Sequence, residues 1–584
     1  MICDITCKYF DLIIIGAGGA GLMSALAAAD CGQKNIAVLS KVLPTNSHTA
    51  SAKGGINASL GNVTSDDWRW HAYDTLKGSA YLADEEAVNI LCQKASEAII
   101  YLEKIGVAFS RGENNLIAQR AYGGQTLDYG KGGLAYRACY SKDKTGQTIL
   151  HTLYQQALNR QILFLNDYFV IDLVVENEVC YGCLALDIDQ GQLVILAAKS
   201  TILATGGYSQ IYFNTTSSTI CTGDGSALAL KAGLPLKDME FVQFHPTGIH
   251  NMGFLVTEAA RGEGGYLLNK NHERFMAKYS PQMMELSSRD VISKAMAQEV
   301  LRGFGAGVNH DHLYLDLRHL PSEVIHQKLP GVYELVKKFL KIDVSQDLIP
   351  VSPSAHYAMG GVDCNIDCQV IEGLMAVGEV ACVSVHGANR LGCNSLLDLI
   401  VFGKIAGEQV YLKNLQQPAN QSSKFYEHKA QKLAQAKILN FQDKFAASAS
   451  FKNQVSLANL KISLQKNNEI ALGVVRNQQM IERGLKNNYA LWQNFLNYKI
   501  SKQNLVWNDE VIAYYELEYL FLNSFAVANA ALNRTESRGS HFRNDYPNID
   551  KINFNAHSKV SLQDYKTLAM SCDFVKLKNL IDEI

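Results

Sequence analysis

Hydrophobic positions change period several times along the chain, and the sharpest change comes first. Leu12-Ile13-Ile14-Ile15 is an unbroken apolar run, the signature of a parallel strand buried on both faces. After a glycine-rich interruption, Leu22 to Ala29 reads as a helix, and Ile36-Ala37-Val38-Leu39 supplies a second strand. Further on, Glu85 to Ile105 has the spacing of an amphipathic helix and Thr148 to Asn159 predicts another. Strands are expected around Val170 to Val175 and Leu193 to Ala198, and Thr201-Ile202-Leu203 closes this part as a buried strand running into Gly206-Gly207. From Met239 to Pro353 the strand–helix rhythm lapses, which predicts an inserted domain. The first domain resumes at Ala355. A polar linker at Leu415 to Ser423 precedes a region where Leu457 to Leu485 and Leu517 to Leu532 carry helical periodicity. The expected units are 1–238 with 354–415, an insertion 239–353, a helical domain 424–533 and a C-terminal domain 534–584. The fold class is α/β, with an inserted α+β unit.

The first interruption, Gly16-Ala17-Gly18-Gly19-Ala20-Gly21, has GxGxxG spacing between a strand and a helix. Such a turn lets the backbone approach a pyrophosphate while the helix N-terminus faces its charge. Where a simple NAD enzyme carries a ribose-binding acid after the second strand, this chain has Ser40-Lys41. Small-residue turns recur at Ser47-His48-Thr49, Gly54-Gly55 and Thr222-Gly223-Asp224-Gly225, where the acid near a helix start suits the hydroxyls of a ribityl or ribose chain.

Composition excludes more than it selects. The 584 residues require more than one core, and a formal net charge of -2 gives no electrostatic footprint for nucleic acid. Thirteen scattered cysteines fit reduced thiols, and Cys180 and Cys183 read as one hairpin rather than half of a metal site. The uncharged run 12–29 is too rich in Gly and Ala for a membrane span or signal-peptide core, and the strand–helix–strand pattern needs it. With the first strand beginning close to Met1, a bacterial cytoplasmic protein or a trimmed mature chain is expected.

Taken in order, these blocks resemble the succinate dehydrogenase/fumarate reductase flavoprotein family, which also includes L-aspartate oxidase. The carrying motifs include Ser47-His48-Thr49, Gln243-Phe244-His245-Pro246-Thr247-Gly248, Ser288-Arg289-Asp290, His386-Gly387-Ala388-Asn389-Arg390-Leu391-Gly392 and the segment from Arg534 to Arg543. The match is looser between about Gly403 and Arg534 and in the last thirty or so residues. The resemblance implies a Rossmann-like FAD-binding domain with a capping insertion. FAD is then held by Gly16, Ala17, Gly18, Gly19, Ala20, Gly21, Ser40, Lys41, Thr49, Gly54, Gly55, Asp224, Glu379, Ser395 and Leu396, and attached covalently at His48.

By the same resemblance, His245 and Thr257 take one carboxylate of succinate or fumarate, and His356 and Arg390 take the other. Arg289 is the proton-transfer residue, with Glu258 beside it. The implied partners are an iron–sulfur subunit, membrane anchor subunits reached indirectly and a flavinylation assembly factor. The implied location is the cytoplasmic side of a bacterial inner membrane, or the matrix side in a mitochondrion. Fumarate reductase is the nearest alternative activity. L-aspartate oxidase and a flavin-binding subunit without turnover stand further off, the first because of His48 and the second because His245, Arg289, His356 and Arg390 are all present.

Overall fold

The computed structural model describes residues 5–416, 422–446 and 455–577. Its organising strand, β1 (Thr6–Ile15), has Leu12, Ile13 and Ile14 wholly out of solvent. Such burial requires neighbours on both edges and helices on both faces. One edge pairs in parallel with β2 (Ile36–Ser40) and the other with β3 (Gln192–Leu203), so that Ile14 lies between Val38 and Ile202. The eight-stranded sheet is completed by Leu163–Asn166 beyond β2, by Leu374–Ala376 and Gln369–Ile371 on the far edge of β3, and by the hairpin Tyr168–Glu176/Val179–Asp187. That hairpin contains Cys180 and Cys183, both buried, and the cysteines of the described residues are unpaired. Helix α1 (Gly19–Cys31) lies on one face against the long helix Asn394–Gln416. The loop after β2 is more regular than its small residues predict. It folds into two single turns, Pro44–Asn46 and His48–Ser51, then a two-residue strand, Ile56–Asn57.

A second, four-stranded antiparallel sheet builds the insertion, in the order β4 (Val242–Ile249), β6 (Ile349–Ala358), β5 (Leu313–Asp316) and Tyr266–Leu268. Ile249, Leu315, Ile349 and Val351 pack beneath the helix Arg289–Glu299, which supplies Ile292 and Met296. The expected border at 353/354 falls inside β6. Pairing of β6 with β4 continues from Val351 to Ala358, and strand β6 therefore carries the chain back to the first domain without a break.

The helical region also differs from its pattern. The stretch 457–485 is two helices, Leu457–Ala471 and Gln478–Leu496. Gly473 follows the first, and the Asn477 side chain caps the second by accepting from Met480 N–H. Asp509–Asn533 runs through the centre of the molecule, with Leu520, Phe521 and Leu522 fully buried. Ser423–Gln442 packs instead on the main sheet. Five residues of the linker, 417–421, and the tract 447–454 lie outside the described residues. The hairpin Ala556–Asp564/Ala569–Lys576 extends a small sheet of the first domain through pairing with Leu236–Lys237, so the tail is joined to that domain rather than standing apart. Among the described residues no helix is long and apolar enough to cross a membrane.

Candidate active site

The cradle sits where β1, β3 and α1 meet. Gly16 has φ of 114°, and a Cβ there would lie 2.2 Å from the Ala204 carbonyl oxygen. A Cβ on Gly21 would lie 2.0 Å from the Gly16 oxygen. Neither position can carry a side chain without moving strand from helix. Gly18 caps α1 with extended backbone and no side-chain bond, and no acid lies in the first turn, so the helix start favours an anion. Thr49 Oγ1 accepts from Gly19 N–H at 3.0 Å and ties the following loop to the helix start.

A cavity of about 1050 Å³ opens from this cradle. Every candidate residue named from the sequence borders it except Gly21, which acts by packing. His48 is half-buried, and its Nδ1 accepts from Ser218 N–H at 3.2 Å. Burial lowers its pKa to about 4, so the ring is neutral at neutral pH. Glu379 stands against Gly207, where a Cβ would meet its Oε1 at 2.4 Å, and accepts from Ala358 N–H at 3.0 Å. Burial raises its carboxyl to about 7. Asp224 is engaged already: its Oδ2 is 2.9 Å from Lys41 Nζ, which also reaches Glu516 at 2.8 Å. Burial alone would lower Lys41, but the two acids outweigh it and raise the pKa. Glu516 was not legible in the sequence because it comes from a helix nearly 300 residues further on.

At the other end, two imidazoles and two guanidiniums converge. His245 and Ser354 are register partners on β4 and β6, which brings His356 to within 5.2 Å of His245, ring centre to ring centre. His245 Nδ1 accepts from Thr247 N–H at 3.2 Å, while its buried Nε2 has no partner. Thr216 holds His356 Nδ1 at 2.8 Å. Burial, then Arg289 and the other cations, push both imidazoles well below their ordinary pKa. Arg390 lies over the Tyr357 ring at 4.7 Å, and its Nε is buried without a partner. Burial and the neighbouring Arg289 lower it to about 10. Buried unpaired donors beside cationic groups are satisfied by an acceptor that is itself anionic.

Gln243 joins the two arginines: its Oε1 accepts from Arg390 Nη2 at 2.9 Å and from Arg289 Nη1 at 3.3 Å. Arg289 Nε donates to Glu258 Oε2 at 3.0 Å, and Arg261 Nη2 lies 3.8 Å from the same oxygen. Burial would raise Glu258, but Arg289 and Arg261 together hold it below the usual carboxylate range. Thr257 borders the cavity beside this pair. Gln243 lies in a motif picked out from the sequence yet had no assigned role there. The available signal for Gln243 was its place two residues before His245 on one strand.

A sequence profile described as "FAD binding domain" matches residues 11–396, and one described as "Fumarate reductase flavoprotein C-term" matches 461–582. The succinate dehydrogenase flavoprotein subunit of Rickettsia bellii is 44% identical, over 98% of this chain and 96% of its own. The mitochondrial succinate dehydrogenase [ubiquinone] flavoprotein subunit of Oryza sativa subsp. japonica is also 44% identical, over 94% of this chain and 87% of its own. Among solved structures, a mutant E. coli quinol fumarate reductase superposes with a TM-score of 0.91 at 33% identity, covering 99% of this chain and 98% of that one.

Proposed function

Since the chain belongs to the succinate dehydrogenase and fumarate reductase flavoprotein family, we infer that it is the flavoprotein subunit of a succinate:quinone oxidoreductase and oxidises succinate to fumarate. The observation that carries this reading is one cavity with a dinucleotide cradle at one end and, at the other, the unpartnered His245 Nε2 and Arg390 Nε. The cradle fits FAD, because Gly16, Gly18 and the α1 N-terminus suit a pyrophosphate while Glu379 and the Lys41–Asp224 pair suit hydroxyls. FAD, when bound, supplies the hydride acceptor.

The chain's own part is to bind, orient and take a proton. His245 and Thr257 hold one carboxylate of the substrate, and His356 and Arg390 the other. Fixing both ends restricts which methylene faces the flavin and which faces Arg289. Oxidation removes a hydride from one methylene carbon and a proton from the other. A guanidinium is a poor base alone. In a relay, Arg289 takes the substrate proton at a terminal nitrogen while its Nε–H passes to Glu258 Oε2, 3.0 Å away. Gln243 keeps Arg289 and Arg390 at fixed separation without adding charge.

His48 is the proposed covalent attachment point of FAD: its Nδ1 is engaged by the backbone, which leaves Nε2 for the bond. An iron–sulfur subunit receives the electrons, membrane anchors hold the assembly at the cytoplasmic or matrix face, and an assembly factor assists flavin attachment. The similarity to named succinate dehydrogenase flavoproteins favours succinate oxidation over fumarate reduction as the working direction. Purified from its native host, the complex is expected to reduce a dye or quinone with succinate, and acid-precipitated protein to stay yellow. Absence of succinate-dependent reduction overturns the activity, and flavin that washes out overturns the bond to His48.

A further inference from the structure

A separate set of ligating side chains lies on the inserted sheet. Val351, in β6, pairs with Ile249 of β4 on one side and Leu313 of β5 on the other. All three belong to the core of the insertion. Strand alternation therefore sends the adjoining His250 and His312 to the opposite face, one from each flanking strand end. The turn before β5 fixes His312: Ala306 N–H donates to the His312 carbonyl at 2.7 Å. Gly307 leaves the room its ring needs, since a Cβ there would lie 2.3 Å from His312 Cε1.

Asp311 completes the set. Its Oδ1 is 3.3 Å from His250 Nε2 and 3.1 Å from His312 Nδ1, and the three ligand atoms all lie within 4.8 Å of one another. Donors bound to a tetrahedral ion at about 2.0–2.1 Å stand about 3.3–3.4 Å apart. Two of the three spacings are thus already close to those a zinc ion imposes. His250 and His312 are half-buried and Asp311 is exposed, which gives an ion a way in. Ser352 Oγ lies 3.3 Å from His250 Nδ1 and orients the ring so that Nε2 faces the cluster. The Asn251 amide, 2.8 Å from that Nε2, can offer its oxygen after rotation. Two imidazole nitrogens and one carboxylate suit a borderline ion, whereas Ca²⁺ and Mg²⁺ prefer all-oxygen shells.

We propose that His250, Asp311 and His312 bind a divalent transition-metal ion of the Zn²⁺ class. The ion fastens the turn after β4 to the loop before β5. Residues 251–254 of that turn border the cavity, so an occupied site ties one cavity wall to the inserted sheet. The competing arrangement is an ion-free bridge in which both imidazoles donate to Asp311.

The test uses the EDTA-washed holo-complex, titrated with Zn²⁺ by calorimetry and with Co²⁺ by visible absorption. The expected result is an ion that binds the wild type with the absorption of low-coordinate Co²⁺. Affinity is expected to be more than about tenfold weaker in both His312→Ala and Asp311→Asn, as loss of even an outer-shell partner weakens metal sites that much. Flavin absorbance reports folding of each variant, because neither side chain belongs to the cradle, and either variant that keeps its flavin decides the matter. Wild-type protein that binds no ion, or a flavin-retaining variant that binds as tightly as wild type, overturns the proposal.

Discussion

Glu258 faces two arginines from inside the cavity wall, and in the proposed relay its carboxylate is the group through which a proton leaves Arg289. Glu258→Gln keeps the shape and one hydrogen-bond acceptor but removes the charge. Turnover at saturating succinate is expected to fall by about 10²-fold or more, with malonate affinity changed little. Near-native turnover would remove Glu258 from the relay. A second residue-scale effect concerns pH. His71 is buried, its Nε2 lies 2.9 Å from Asn394 Oδ1, and burial followed by Arg137 lowers its pKa from 6.5 to about 3. Between those values the unfolded chain carries a proton there that the native chain lacks. Stability from this group is therefore complete above pH 6.5 and falls as pH drops through the window, by on the order of 1–2 kcal/mol at pH 5. His71→Gln is expected to shrink the Tm difference between pH 7 and pH 5, and an unchanged difference contradicts this. The sequence was informative where a motif singles out candidates, as with His245 and Arg390, which the structure brings to one cavity. It was silent on Gln243, because a glutamine in a strand has no chemistry of its own until two guanidiniums from elsewhere meet its oxygen.

Among elements, the β1–α1 turn was the most legible, since an apolar run ending in glycines leaves the backbone few alternatives. Gly21→Ala places a methyl against the Gly16 oxygen, and the expected outcome is protein with little bound flavin, read from its visible flavin absorbance per chain. Full flavin loading would mean that helix and strand are less tightly apposed than their spacing indicates. Less legible were the elements whose borders depend on partners. The break between Leu457–Ala471 and Gln478–Leu496 holds Val475–Arg476, which pairs with Phe542–Arg543 from the far end of the chain. Periodicity within one segment carries no trace of that pairing. Strand β6 likewise passes the expected border at 353/354 because its pairing, rather than its composition, decides where it ends.

Across the whole molecule, the residues proposed to hold the substrate come from both the insertion and the first domain. His245, Thr257, Glu258 and Arg289 lie in the insertion, Arg390 in the resumed first domain, and His356 at the end of the strand joining them. We read 239–353 as a cap that moves about this strand and its partner. Malonate at saturation is expected to slow proteolysis within 239–353, and unchanged cleavage contradicts closure. Such an arrangement was visible in the sequence as a lapse in rhythm with site motifs on both sides of it. The attachment of the C-terminal hairpin to the first domain was not, because Leu236 and Val560 pair across more than 300 residues.

In the proposed mechanism Arg289 moves the substrate proton while His245, Thr257, His356 and Arg390 hold the carboxylates. Arg289→Gln in the holo-complex separates these roles, by succinate-dependent dye reduction at saturation set beside the dissociation constant of malonate. A fall in turnover of about 10²-fold or more with malonate affinity kept within a few-fold is the predicted result. Near-native turnover at saturating succinate would contradict the claim and move the base elsewhere.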